Sequence, residues 1–320
     1  NGNNLIGVVR NFAGLLFYVV YFFLVFSAIS RSKLFSVLIN ASMIYLILAL
    51  ALGVNAAINR DFLAIDDYGS SAVRVYFSVG QYILIPTLFI FLSGSSPTLR
   101  SDFDRLGIVK RNNFIVVAII LSLLFSGGKG LYLELVALFL VFVFLFAFRF
   151  ITHLRLRYSS LFTLITLSSL GIYFTAEIIS SVSHLVAMET DESHPRVIQA
   201  IALIEDFTLF GKGLGGVVPD YSRDVLGYGF ELSFHNIIHK FGIMSLFIFA
   251  SFLAPVFYSL YKILTRSSKI YSYLPLIFML YLLPSWGNPT VFAPVAVILH
   301  CLALYFIRLD KFEETKIVRQ

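Results

Sequence analysis

A chain of 320 residues that is 58% hydrophobic and 13% charged, with 34 phenylalanines, is too apolar for a soluble globular domain. The net charge of +6 does not indicate a nucleic-acid partner, because the basic residues are scattered between apolar runs instead of gathering on one solvated face. A lone cysteine, Cys301, excludes both an internal disulfide and a cysteine-based metal site.

A bilayer core takes about 20 apolar residues per helix, with a range of roughly 17 to 25. Apolar runs at 11–29, 34–57, 75–94, 112–126, 131–149, 160–182, 236–261, 270–285 and 291–307 therefore predict an all-α, polytopic transmembrane bundle. It has about nine spans in one membrane domain covering 1–320. The first run has full length and no small-residue cleavage site, so no cleavable signal peptide is expected. The sequence opens on Asn1, which leaves room for helices upstream. The short 112–126 run, followed by SGGKG, predicts one arm of a tight hairpin with 131–149.

Orientation follows from the positive-inside rule. With residues 1–10 outward, most of the 24 Lys and Arg fall on the inner side and most acids on the outer side. The loop 183–235 then faces the periplasm or cell exterior. Within it, Pro195 opens an amphipathic segment, 196–210, whose Val197, Ile198, Ile201, Leu203, Ile204, Phe207 and Phe210 recur at near-helical spacing. Gly211 closes it, and the segment is expected to lie on the outer membrane surface with Glu205 and Asp206 toward water.

Charges inside apolar spans are costly and each needs a reason. Arg74, Lys129, Glu134 and Glu177 fall near outer span ends, with Glu134 about 7 Å deeper than Lys129 at 1.5 Å per residue. They read either as structural ion pairs and snorkelling ends or as a polar outer-leaflet site for an anionic head group. Arg74, Arg196 and Lys129 are the natural anion binders, since guanidinium matches phosphate oxygens and stays charged when desolvated. The turn GKGLGG, with Gly211, Gly213, Gly215 and Gly216, offers backbone amides to phosphate but lacks the strand of a nucleotide-binding loop.

His235 and His239 in HNIIH have a metal-compatible spacing, but the glutamate of a zincin helix is absent. A histidine at the watery start of a helix suits proton transfer, with Glu231 able to orient it; the plain alternative is a hydrogen-bonded helix-start histidine. No Gly-x-Ser-x-Gly elbow marks a covalent hydrolase.

These motifs together resemble the O-antigen polymerase and ligase superfamily. The resemblance rests on the arginine-led segment from Arg196, the glycine turn to Gly215, and FHNIIHKFGIMSL with His235-Asn236 at a helix start. SGGKG resembles that family's outer hairpin, usually Ser-Arg-Gly, with Lys129 in place of the arginine; Arg74 matches the arginine of an earlier helix more loosely.

The resemblance implies a metal-independent, cofactor-free glycosyltransferase of the bacterial inner membrane. Its site would face the periplasm and use undecaprenyl-diphosphate-linked glycans as donor and acceptor. Arg74, Arg196 and Lys129 would bind the diphosphate. His235 and Arg196 would be catalytic, and Glu231, Asn236 and Glu134 would support them. Membrane lipids and a chain-length regulator are the further partners. The divergent hairpin favours a polymerase of O-antigen or capsule-type repeat units. A ligase transferring the finished glycan to lipid A core or protein is the first alternative. A transporter or flippase of an anionic lipid or solute is the second, although neither a sequence repeat nor midplane charges suggest one.

Overall fold

The computed structural model describes residues 9, 13–27, 29, 31–59, 63–64, 73–74, 79–93, 113–125, 129–153, 195–218, 232–265, 272–286 and 290–318. A 3-10 turn, Ala13–Tyr18, leads into α1 (Val19–Phe26), and α2 follows (Arg31–Asn59). A two-residue antiparallel ladder joins β1 (Leu63–Ala64) to β2 (Val73–Arg74). A second 3-10 turn, Val79–Ile83, precedes α3 (Leu84–Ser93). Next come α4 (Asn113–Phe125), α5 (Lys129–His153) and α6 (Pro195–Glu205). α7 (Ser233–Phe241) and α8 (Ser245–Leu264) are joined by the turn Gly242–Met244. α9 (Leu274–Phe278) breaks into 3-10 turns at Leu280–Leu282 and Pro284–Trp286, and α10 (Pro294–Val318) closes the chain.

Among the described residues the secondary structure is helical apart from the short ladder, in keeping with the composition. Every expected run holds a helix except 160–182, which with Glu177 lies outside the described residues. Two segments, Lys33–Leu52 and Ser233–Leu264, are long and apolar enough to cross a membrane; the other apolar helices are shorter. The 270–285 run is interrupted, because Leu280–Leu282 and Pro284–Trp286 tighten into 3-10 turns after α9. Prolines open several helices: Pro195 and Pro294 begin α6 and α10, and Pro275 lies in the first turn of α9, positions where no intrahelical N–H is lost.

The core is built around α3 and α10. Every residue of α3 is buried, between α2, α4, α5 and α9. α10 packs against α1, α8, α9 and both early 3-10 turns. Because these contacts are almost wholly apolar, a few polar bonds fix the register. Ser42 and Thr87 hydroxyls meet at 2.7 Å between α2 and α3. The His300 imidazole donates from Nε2 to the Ser251 carbonyl at 3.0 Å, leaving Nδ1 to accept from the Tyr18 hydroxyl at 2.7 Å. Near the other end of α10, buried Asp310 accepts from Tyr258 at 2.8 Å and Ser272 at 3.2 Å, with Lys262 3.6 Å away. That cluster ties α8, the start of α9 and α10 together.

The outward faces are as apolar as the inward ones. On α2, Val37, Ile44, Ile47 and Leu48 are exposed opposite buried Phe35, Leu38 and Ile39. On α8, Leu246, Phe247, Leu253 and Phe257 are exposed likewise. A helix that is hydrophobic on all sides fits an apolar solvent rather than water.

Candidate functional site

α6 and α7 pack against each other, and their junction carries most of the predicted chemistry. Arg196 is half-buried in the first turn of α6, directly after Pro195. One turn on, the buried Gln199 side chain accepts the backbone N–H of Leu232 at 3.2 Å. Leu232 is the N-cap of α7 and has no side-chain cap of its own, so Gln199 supplies the bond that such a start lacks. His235 follows in the first turn of α7, and Arg196 and His235 are thus placed on two helices joined by one hydrogen bond.

His235 is half-buried and lines an apolar groove of about 190 Å³ with Leu203, Ile204, Phe207 and Ile238. Its ring stands edge-on to Trp286, with centroids 6.0 Å apart. Nδ1 of His235 and Oδ1 of Asn236 are buried with no hydrogen-bond partner among the described residues.

His239 behaves differently. It is fully buried, and its Nε2 donates to Asp206 Oδ2 at 2.8 Å. Lys212 donates to the other carboxylate oxygen at 2.7 Å. Burial by itself lifts a carboxyl, but the hydrogen bonds from His239 and Lys212 outweigh it and hold Asp206 below the usual carboxylate range. Asp206, expected to face water, is partly exposed but also bound by both partners. The helix also ends at Glu205, five residues before the predicted limit, because the chain turns there to bring Asp206 to His239.

The glycine turn is corrected too. Its amides do not stand open to phosphate: Lys212 N–H donates to the His239 carbonyl at 2.9 Å and Gly213 N–H to the Lys240 carbonyl at 3.0 Å. Ile243 N–H returns a bond to the Leu209 carbonyl at 2.8 Å, and the buried Lys240 ammonium donates to the Gly216 carbonyl at 2.8 Å. The turn thus caps the C-terminal end of α7. Gly211 and Gly242 are needed because φ is +76° and +52°, and a Cβ on either would lie 2.2 Å from a carbonyl oxygen of the opposite strand of chain.

α5 reaches the same neighbourhood. The turn Pro284–Trp286 packs against both α5 and α7, and a Cβ on Gly130 would sit 2.5 Å from Pro284. Lys129 opens α5 and so starts beside this turn. Glu134, further along α5, is 1% exposed, with no hydrogen-bond partner for Oε1 among the described residues. The ion pair expected between Lys129 and Glu134 involves a Lys129 side chain that lies outside the described residues. Glu231 and the side chains of Arg74 and Lys129 lie outside the described residues, although the Arg74 backbone pairs with Leu63.

Sequence reasoning missed Asp206, Gln199 and Trp286 as parts of the site. Gln199 had a signal, a polar residue on the apolar flank of an amphipathic helix. Trp286 had another, as the only tryptophan in the chain. Set against family models, curated proteins and solved structures, the chain finds no match in any of the three.

Proposed function

We propose that this chain is a multi-pass inner-membrane glycosyltransferase whose site faces the periplasm. It lengthens O-antigen or capsule-type polysaccharide from undecaprenyl-diphosphate-linked repeat units, with about nine spans and the 183–235 loop outside. The observation that carries the reading is His235: a histidine whose Nδ1 has no hydrogen-bond partner among the described residues, at an apolar groove, where a membrane-length helical segment begins and Arg196 stands across the Gln199 junction. Helices that are apolar on their outward faces support the membrane setting.

In the proposed reaction the acceptor hydroxyl oxygen bonds to the donor's anomeric carbon. The bond from that carbon to the diphosphate oxygen breaks, and its electron pair leaves with the lipid diphosphate. His235 orients the acceptor hydroxyl or takes its proton. Arg196, with Lys129 and Arg74, stabilises the charge gathering on the leaving diphosphate. The groove of Leu203, Ile204, Phe207 and Ile238 offers the apolar surface that the first isoprene units of the carrier require.

Purified protein in proteoliposomes, given lipid-diphosphate-linked repeat units, is expected to yield a ladder of lengthening lipid-linked glycans. His235→Ala should slow it by about 10² to 10⁴-fold, and Arg196→Ala should nearly abolish it. Near-normal turnover in a correctly inserted Arg196→Ala protein would remove Arg196 from the mechanism. No ladder, but transfer once lipid A core is added, would make the protein a ligase. Neither product from folded protein would end the enzyme reading.

A further inference from the structure

Trp286 stands at the meeting of α5, α7 and the broken α9 segment, and half of its surface is exposed. Its indole is braced from two directions. Phe234 tilts against it with centroids 5.7 Å apart, and His235 meets it edge-on at 6.0 Å. Phe234 is itself backed by Phe249 of α8 at 5.8 Å. Behind the ring, the Ser285 hydroxyl is bonded to the Tyr281 carbonyl and to Thr290, which fixes the turn that carries it. A large aromatic ring is thus held rigid, with open surface, beside the histidine of the site.

Two polar atoms of the adjoining α7 residues, Nδ1 of His235 and Oδ1 of Asn236, are buried with no hydrogen-bond partner among the described residues. An apolar platform beside such polar atoms matches one ligand chemistry well. A pyranose ring presents a face of C–H bonds, whose positive edges suit the negative face of an indole, and a rim of hydroxyls that can pair with such atoms after a small side-chain rotation. We propose that Trp286 is a stacking platform for a sugar residue of the acceptor glycan, holding its hydroxyl beside His235. The proposal rests on the glycosyltransferase reading and makes Trp286 a specificity-determining residue of that site. A tryptophan serving only as an interfacial anchor would turn its ring to lipid instead.

The chain reports on itself here, since Trp286 is its single tryptophan. The probe is the water-soluble oligosaccharide released by mild acid from the producing cells' lipid-linked repeat units. Added to wild-type proteoliposomes, it is expected to shift or quench Trp286 emission saturably. No response up to the solubility limit, with strong quenching by brominated phosphatidylcholine, would overturn the platform in favour of an anchor. In the ladder assay, Trp286→Leu should raise KM for the acceptor about three- to tenfold with kcat little changed, while Trp286→Phe keeps most of the wild-type KM. An unchanged KM in Trp286→Leu also overturns the proposal. If the saccharide registers but no glycan lengthens, the platform stands and the polymerase reading falls. If glycans lengthen normally while Trp286 stays silent, the reverse holds.

Discussion

Asp206 shows how one side chain organises the loop around the site. It holds His239 from α7 and Lys212 from the glycine turn at once, so the end of α6, the turn and the end of α7 move as one piece. Its carboxyl is held below the ordinary range, so the stability it contributes is complete above its unfolded value, near 3.8. That stability is lost as pH falls through the lower folded value. Amide exchange at Lys212 and Gly213, corrected for intrinsic rates, should accelerate on acidification below about pH 4. Asp206→Asn should exchange faster at neutral pH and lose that acid dependence. Identical profiles in both proteins would show that the Asp206 contacts contribute nothing. In the sequence, Asp206 reads as a water-facing residue of an amphipathic helix, because periodicity cannot tell where a helix will be stopped by a partner 33 residues away.

At the scale of elements, the interlock between 208–213 and 239–243 is made by backbone, not by side chains. Such contacts tolerate no Cβ, and Gly242, with φ of +52° and ψ of −131°, occupies a region that other residues avoid. Gly242→Ala should destabilise the protein by about 1 to 3 kcal/mol from backbone strain alone, with more from the clash at Leu209. A thermal unfolding midpoint unchanged from wild type in the same detergent would refute the interlock. Glycines in this stretch were visible in the sequence and invited a phosphate-binding reading. What they approach is another segment of chain, and composition cannot distinguish a close approach to a ligand from one to a carbonyl. The presence of helices was legible in the apolar runs that fall on described residues, but their ends were not: 291–307 extends as Pro294–Val318, and the 270–285 run holds a helix only over Leu274–Phe278.

For the whole molecule, the testable matter is sidedness. The only native cysteine, Cys301, is buried, so the wild type provides a quiet background for thiol labelling. In the proposed topology, Glu205→Cys should react with a membrane-impermeant maleimide in spheroplasts, whose inner membrane is intact. Lys311→Cys should react only after lysis. The opposite pattern would invert the orientation and move the loop off the periplasmic side.

The sequence by itself pointed to an all-helical fold built on long apolar runs. It also singled out the stretch from Arg196 to Gly242 as its longest polar excursion. These follow from composition and local spacing, which the chain carries at every point. Tertiary structure decided which polar residues are spent on holding the fold and which are left over. His235 and His239 stand one turn apart on one helix, yet the Nε2 of His239 is committed to Asp206 while His235 lines an apolar groove and meets Trp286. Only packing brings Trp286 to that histidine from 51 residues away. A side chain's role depends on what lies across from it in space, and neighbours distant in sequence leave no mark in the local pattern.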